Sequence, residues 1–463
     1  MSCFSTARLA LATAALLALA GCAAPVAAPT ASWKAPAGWS ADAPLAAPTA
    51  QAAAPASDAW WASAGSAELN ALVEAALRAN RDLHIAAARV LQARAGVEAV
   101  DAQQLPQLGL AAGAQRGRDS SANPKASVVS GGLRASWEPD LFGAQGLASQ
   151  AATVDAQGAE LAQQAMRVAI AADVGTAWFE IQALRRREAV ARDALTTLER
   201  QIEVARRRFG AGQSSALDVD RLLAERGQER AALAQLQGAQ RARQRQLAVL
   251  TGAAQPDPAL VFADTGAAGI AAPAGLLPAE LLERRPDVQL QARALEAAAA
   301  RLGVARRDLY PRIQLDWAGR KERLSVGGAS ASPTLVVGYG VSLALPVFDG
   351  GRIRANIAVH EARTQEAMAG YEKAMIGALA DAETALVQLA AAETTVAELE
   401  RAQRAAAEAA ARSQRLYEAG LVGLDTVLDV RRSHLRAQDA LLQARGAQWV
   451  AGVSVRRAFA GRV

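Results

Sequence analysis

The chain has 463 residues, 52% hydrophobic but only 4% aromatic, so it can bury a large apolar area through alanine and leucine at close helix contacts rather than through a bulky aromatic core. Its formal charge of +5 does not point to nucleic acid, because the arginines are interleaved with glutamate and glutamine along helices, as in Arg185-Arg186-Arg187-Glu188, and no aromatic stacking platform accompanies them. The three histidines, His84, His360 and His434, stand alone, with no metal-ligand spacing, and neither a phosphate-binding glycine loop nor a nucleophile-base pair can be named, so no enzyme and no bound cofactor is expected.

At the N-terminus Arg8 precedes an apolar run from Leu9 to Ala20, too short to span a bilayer and therefore a secretory signal, residues 1–21. It ends in Leu19-Ala20-Gly21-Cys22, which resembles the bacterial lipobox. That resemblance implies cleavage before Cys22 and a covalent lipid on its thiol; Cys3 leaves with the signal, so no disulfide is expected. Ala23 is not the aspartate that marks inner-membrane retention in bacterial lipoproteins, which points to the outer membrane. Residues 22–58, rich in proline and alanine, read as an extended tether.

Residues 59–251 form a first repeat. Helical periodicity runs from about Glu68 to Gln104 and stops at Pro106. A hairpin follows over 106–138: Leu108, Leu110, Ala112 and Ala114 alternate with polar or glycine residues, and after a turn-rich loop (Asp119 to Ser127) Val129, Leu133, Ala135 and Trp137 do the same. The helix over 144–209 is proline-free and would reach roughly 100 Å at 1.5 Å per residue, so it must pack sideways on similar rods. Its seam is Phe209, Ala205, Ile202, Leu198, Leu195, Ala191, Leu184 and Ile181, spaced as in helices that coil around one another, with Glu188 as an interruption. A helix over 216–250 completes the unit.

After a connector, 252–278, the pattern returns over 279–463: a helix, a hairpin over 311–346, a long helix over 352–417 and a helix over 424–455. Pro311 matches Pro106 (311 − 106 = 205), Asp287 matches Asp82 at the same 205, and Gly420 matches Gly212 (420 − 212 = 208). The second hairpin alternates Ile313, Leu315 and Trp317, then Leu335, Val337, Tyr339, Val341, Leu343 and Leu345, on either side of a loop from Leu324 to Pro333.

Two-faced strands of this length can cross an outer membrane when tilted, provided every edge is met within a closed barrel. Four strands cannot close one; three protomers supply 3 × 4 = 12, which leaves a lumen. On this reading Val129, Leu133, Trp137, Ile313, Leu315, Trp317, Val337, Tyr339, Val341 and Leu343 face lipid and the polar alternates line a pore. A periplasmic sheet with one face on a helix layer is the competing arrangement. The fold class expected is thus an α+β membrane protein: coiled-coil hairpins of an α-helical barrel plus a β-barrel of four strands per protomer.

The lipobox, the duplicated pattern, Trp137-Glu138-Pro139-Asp140-Leu141-Phe142-Gly143 and Leu345-Pro346-Val347-Phe348-Asp349-Gly350-Gly351-Arg352 resemble the TolC-like outer-membrane factor family, and more narrowly its efflux-pump lipoproteins of the NodT/OprM-like branch. The resemblance implies a homotrimer that docks on a periplasmic adaptor protein and an inner-membrane pump of the resistance-nodulation-division type, forming a passive duct for small molecules. It makes Gly210, Gly212, Gln213, Ala419, Gly420 and Leu421 the helical tips that meet the adaptor, although these glycines also suit simple helix caps. It makes Asp429 an acidic ring at the tunnel mouth. Where the family places a second acid this chain has Thr426, with Asp425 beside it, so Asp425 reads equally as a second gate acid or a solvated aspartate. A protein-secretion duct and a pore-less periplasmic scaffold remain the alternative functions.

Overall fold

The computed structural model describes residues 29–30, 33–40, 59–117, 126–257, 262, 277–327 and 329–460; Cys22, the lipobox and most of the tether lie outside them. After a 3-10 turn at Trp60–Ala64, α1 (Ala67–Ala79) and α2 (Arg81–Asp101) lead to β1 (Gln107–Gly117), β2 (Ala126–Trp137), α3 (Ala144–Gly210) and α4 (Ala216–Leu250). The order then repeats as α5 (Pro278–Arg284), α6 (Pro286–Arg307), β3 (Arg312–Val326), β4 (Thr334–Ala344), α7 (Arg352–Glu418) and α8 (Leu424–Phe459). The expected class, long helices in hairpins with a four-stranded antiparallel sheet, is what the chain adopts. One difference lies in the second hairpin, where β3 runs on to Val326 into the expected loop, because Ser325 and Val326 pair with Ser127 and Ala126 on one side and with the two-residue strand Ala329–Ser330 on the other.

Two compact units emerge, and each draws on both halves of the sequence. One is built chiefly from Ala88–Glu160 and Leu290–Lys373 and holds the sheet; the other is built from Lys34–Ala87, Leu161–Gln289 and Ala374–Val463.

The helix expected from Glu68 to Gln104 is broken at Asn80, whose backbone is extended (φ −61°, ψ 133°). The asparagine stabilises its own break: its Oδ1 accepts from the backbone N–H of Asp82 (2.8 Å) and Leu83 (3.2 Å), capping α2, while its Nδ2 donates to the Leu250 carbonyl at the end of α4 (2.9 Å). The second half repeats the device with another side chain. Arg285, also extended, separates α5 from α6, and its Nη1 donates to the carbonyls of Ala378 (3.2 Å) and Ala458 (3.4 Å). The offsets are those of the sequence repeat, 285 − 80 = 205 and 458 − 250 = 208.

Arg285 also grips Asp287 with two parallel hydrogen bonds (3.0 and 2.6 Å). Burial raises the affinity of the Asp287 carboxyl for its proton, and the Arg285 hydrogen bonds and charge more than reverse this, so the group sits below the usual carboxylate range. Its contribution to stability is therefore complete above the ordinary carboxylate pKa and is lost as pH falls through the lowered value. Arg285→Met is expected to cost about 1–3 kcal/mol, chiefly by leaving the Ala458 carbonyl at the end of α8 without its donor, with Asp287 adding little because it is half exposed. Calorimetric melting of the detergent-extracted protein checks this; an unchanged midpoint would remove Arg285 from the account.

The α3 seam is buried at Ile181, Leu195, Leu198, Ile202 and Ala205, and the last three cluster with Leu222 of α4 and Leu428 of α8. It stops there, since Phe209 is half exposed. Glu188, the interruption, is buried and satisfied: Arg192 Nη2 (2.7 Å) and Gln237 Nε2 of α4 (2.9 Å) both donate to its Oε1. Part of the small aromatic complement is nonetheless concentrated. Trp60, Trp61, Trp178, Phe179 and Trp449 gather in one core with Leu69 and Val73, the Trp178 and Phe179 rings meeting edge to face at 4.9 Å.

The sheet order is β1-β2-β3-β4, antiparallel throughout. The β2–β3 pairing joins the hairpins of the two halves, and the backbones crowd where it crosses Gly132: a Cβ there would fall on the Gly319 carbonyl and Arg320 Cα.

Candidate functional site

Two features carry chemistry, the faces of the sheet and the tips of the helical hairpins. In antiparallel pairing residues directly opposite point to the same side, so the register sorts the side chains. One row runs Leu110–Leu133–Gly319–Val337, the next Leu108–Ala135–Trp317–Tyr339, and the next pairs Trp137 with Leu315 and Leu315 with Val341. Ile313 and Leu343 complete that face. All ten strand residues singled out as apolar alternates therefore share one side of the sheet. On the other side lie Gln115, Ser130, Arg134, Ser136, Arg312, Gln314, Asp316, Arg320, Glu322 and Ser342, with Arg320 paired to Glu322 at 3.0 Å.

Large apolar side chains are left open to the surroundings on the first face. Tyr339 is 89% and Val341 74% exposed, an arrangement that water would penalise. At the helix-proximal end Trp137 donates from its indole Nε1 to the Gln104 carbonyl (2.8 Å), and Phe142 stacks on Tyr310. The outer edges of β1 and β4 pair with nothing among the described residues. Such edges invite another strand.

At the tips both long helices end alike. Gly212 has φ +70°, Gln213 N–H bonds the Arg208 carbonyl (2.8 Å) and Gly212 N–H that of Phe209 (2.9 Å); Gly420 has φ +74°, Leu421 N–H bonds the Leu416 carbonyl (2.8 Å) and Gly420 N–H that of Tyr417 (2.9 Å). These are paired 6→1 and 5→2 closures around a left-handed glycine, so the glycines do cap the helices. Gly210 and Ala419 lie just before these turns. The restarts differ: Ser215 caps α4 with a reciprocal Ser215–Asp218 capping box, while α8 starts from Gly423 with no side-chain cap. A link between the tips was not foreseen, Arg208 Nη1 donating to the Tyr417 hydroxyl (3.0 Å) with its guanidinium over the ring. Its one trace in the sequence is an arginine and a tyrosine three or four positions before matching glycines.

Asp425 and Asp429, four residues apart on α8, project from the same helix face one turn apart, and both are exposed. Val427 and Leu428 between them are buried and hold that part of α8 in place. No group of His, Cys, Asp and Glu suited to a metal occurs among the described residues.

The two halves each match the family model described as Outer membrane efflux protein, over residues 72–253 and 277–461. The chain belongs to the outer membrane efflux protein family. Among its relatives are the pyoverdine export outer membrane protein OpmQ of Pseudomonas aeruginosa, 32% identical over 419 residues covering 87% of each chain, and outer membrane protein OprJ of the same organism, 31% identical over 416 residues covering 87% of this chain and 86% of OprJ. The solved structure of the outer-membrane channel OprN superposes with a TM-score of 0.81 at 27% identity, covering 94% of this chain and 99% of that one. This outer membrane efflux protein is thus a TolC-like efflux channel of the Gram-negative outer membrane and not an enzyme.

Proposed function

We propose that three copies of this efflux protein close one twelve-stranded barrel, that the apolar sheet face meets lipid, and that the channel is the passive exit duct of a tripartite pump. The observation that carries this is the two-faced sheet with open edges. β1 runs away from the helices and β4 returns towards them, so β4 of one copy can pair antiparallel with β1 of the next. Two copies would give about eight strands and an interior filled by side chains, whereas 3 × 4 = 12 leaves a lumen lined by Arg134, Arg312, Asp316, Arg320 and Glu322. Detergent extraction followed by mass measurement tests the count, the expected species being three chains; a water-soluble monomer would end the proposal.

In the assembled channel the tips Gly210, Gly212, Gln213, Ala419, Gly420 and Leu421 meet a periplasmic adaptor, behind which stands an inner-membrane pump of the resistance-nodulation-division type. Bare glycine turns suit such docking because another backbone can approach them closely. Asp429 forms the acidic ring at the tunnel mouth, and the helix face that Asp425 shares with it supports a second layer there. Three-fold carboxylates around a narrow axis repel one another and anions, and hold cations. Asp429→Ala is expected to raise single-channel conductance in planar bilayers or to abolish block by divalent cations, and unaltered recordings would refute the assignment.

Cys22 carries the lipid. The expected mass of the mature N-terminal peptide is that of an acylated cysteine at its first position; an unmodified thiol there would rule the anchor out.

A further inference from the structure

The apolar face of the sheet ends in cations. Beyond the row Leu110–Leu133–Gly319–Val337, on the side away from the helices, it carries Lys321 level with Gly131, Arg323 level with Val129, and, on β1, Arg116 opposite Ser127. All three are exposed and have no acidic partner among the described residues. No aspartate or glutamate occurs at any described strand position of this face; Asp316 and Glu322 both lie on the other. The helix-proximal end of the same face has no charge and bears Trp137 and Trp317 instead. One surface therefore finishes in an uncharged aromatic border at one end and a purely basic border at the other.

Resting on the barrel reading above, we infer that Arg116, Lys321 and Arg323 bind the phosphate groups of the phosphorylated glycolipid that forms the outer leaflet of the outer membrane. The helices extend into the periplasm, so the basic border lies at the outer leaflet. A cation on a lipid-facing barrel surface costs about 2–4 kcal/mol at mid-depth and about 0–1 near the interface, so these side chains must reach the headgroup zone, which their long stems allow. Lys321 and Arg323 are two residues apart on one strand, about 7 Å, and Arg116, two strands away and level with Ser325, lies about 12 Å from Arg323, a spread that a headgroup bearing two phosphates can bridge. Charge-assisted hydrogen bonds from guanidinium to phosphate supply the attraction, and among the described residues no acid on that face competes for the cations.

The test uses the full-length protein purified from outer membranes. Bound phosphorylated glycolipid per chain is measured by mass spectrometry, and melting of delipidated protein is followed with lipid A, with dephosphorylated lipid A and with inorganic phosphate. Lipid A alone is expected to raise the melting temperature. The triple variant Arg116→Ala/Lys321→Ala/Arg323→Ala is expected to retain at least tenfold less lipid while keeping its oligomer and conductance; Arg320→Ala, on the other face, should match the parent in lipid retained, and the charge-preserving Arg116→Lys/Lys321→Arg/Arg323→Lys should retain lipid. Equal retention by the triple alanine variant, or equal stabilisation by dephosphorylated lipid or free phosphate, would overturn the inference. Failure of the barrel reading is separate, because the unaltered protein would then not be recovered as a membrane-bound oligomer.

Discussion

Val337→Arg is expected to abolish assembly in the outer membrane. Val337 lies in the central row of the sheet, opposite Gly319 and in line with Leu110 and Leu133, and is 56% exposed in the protomer. If that face meets hydrocarbon, an arginine at mid-depth costs about 2–4 kcal/mol per copy, paid three times in a trimer, which is comparable to the whole stability of a typical fold. Ser342→Arg, on the opposite face of the same strand, places the same charge on the proposed lumen face, which already holds Arg134, and should assemble normally. Heat-modifiable oligomer in outer-membrane fractions is the readout. Equal assembly of the two variants would show that the faces are not lipid and lumen, and loss of Ser342→Arg alone would show them reversed.

Gly132→Val is the second large effect, and here packing rather than solvent decides. The new Cβ would land on the backbone of Gly319 and Arg320, atoms that cannot swing aside as a side-chain terminus can. Relief requires β2 and β3 to part, and that pairing is what joins the hairpins of the two halves. The cost exceeds the about 1–3 kcal/mol of ordinary overpacking. The neighbouring Gly131→Ala is the control, since its Cβ meets only the Ala112 Cβ at 3.9 Å, an ordinary contact. Limited proteolysis of membranes should find the Gly132 variant degraded and the Gly131 variant protected; similar protection of both would mean that the strands have room at this point.

The alternation of Leu335, Val337, Tyr339, Val341 and Leu343 and the proline-free stretches made the elements legible, because each is a pattern that one chain segment imposes on itself, and the repeat offsets of 205 and 208 showed that the same elements recur. The same local logic identified the glycines at the helix ends, where a left-handed residue is required. It failed at Asn80: the apolar period continues across the break, and the asparagine holds its extended backbone through the Leu250 carbonyl, 170 residues away. It also left Glu188 as an unexplained flaw, because the donor that satisfies it from another helix, Gln237, is 49 residues distant.

From its own residues, then, the chain determined which segments are helix and which are strand and which strand positions are apolar, matters of spacing between near neighbours, and that the pattern occurs twice, a matter of comparing one stretch with another. Only the tertiary structure decided that the ten apolar strand residues lie on one face, that Arg116, Lys321 and Arg323 close the same face with cations, and that Asn80 and Arg285 hold equivalent breaks. The physical reason is that a period along one strand states only which residues share a side of that strand. The register between strands, set by hydrogen bonds across the two halves of the chain, makes those sides a single surface.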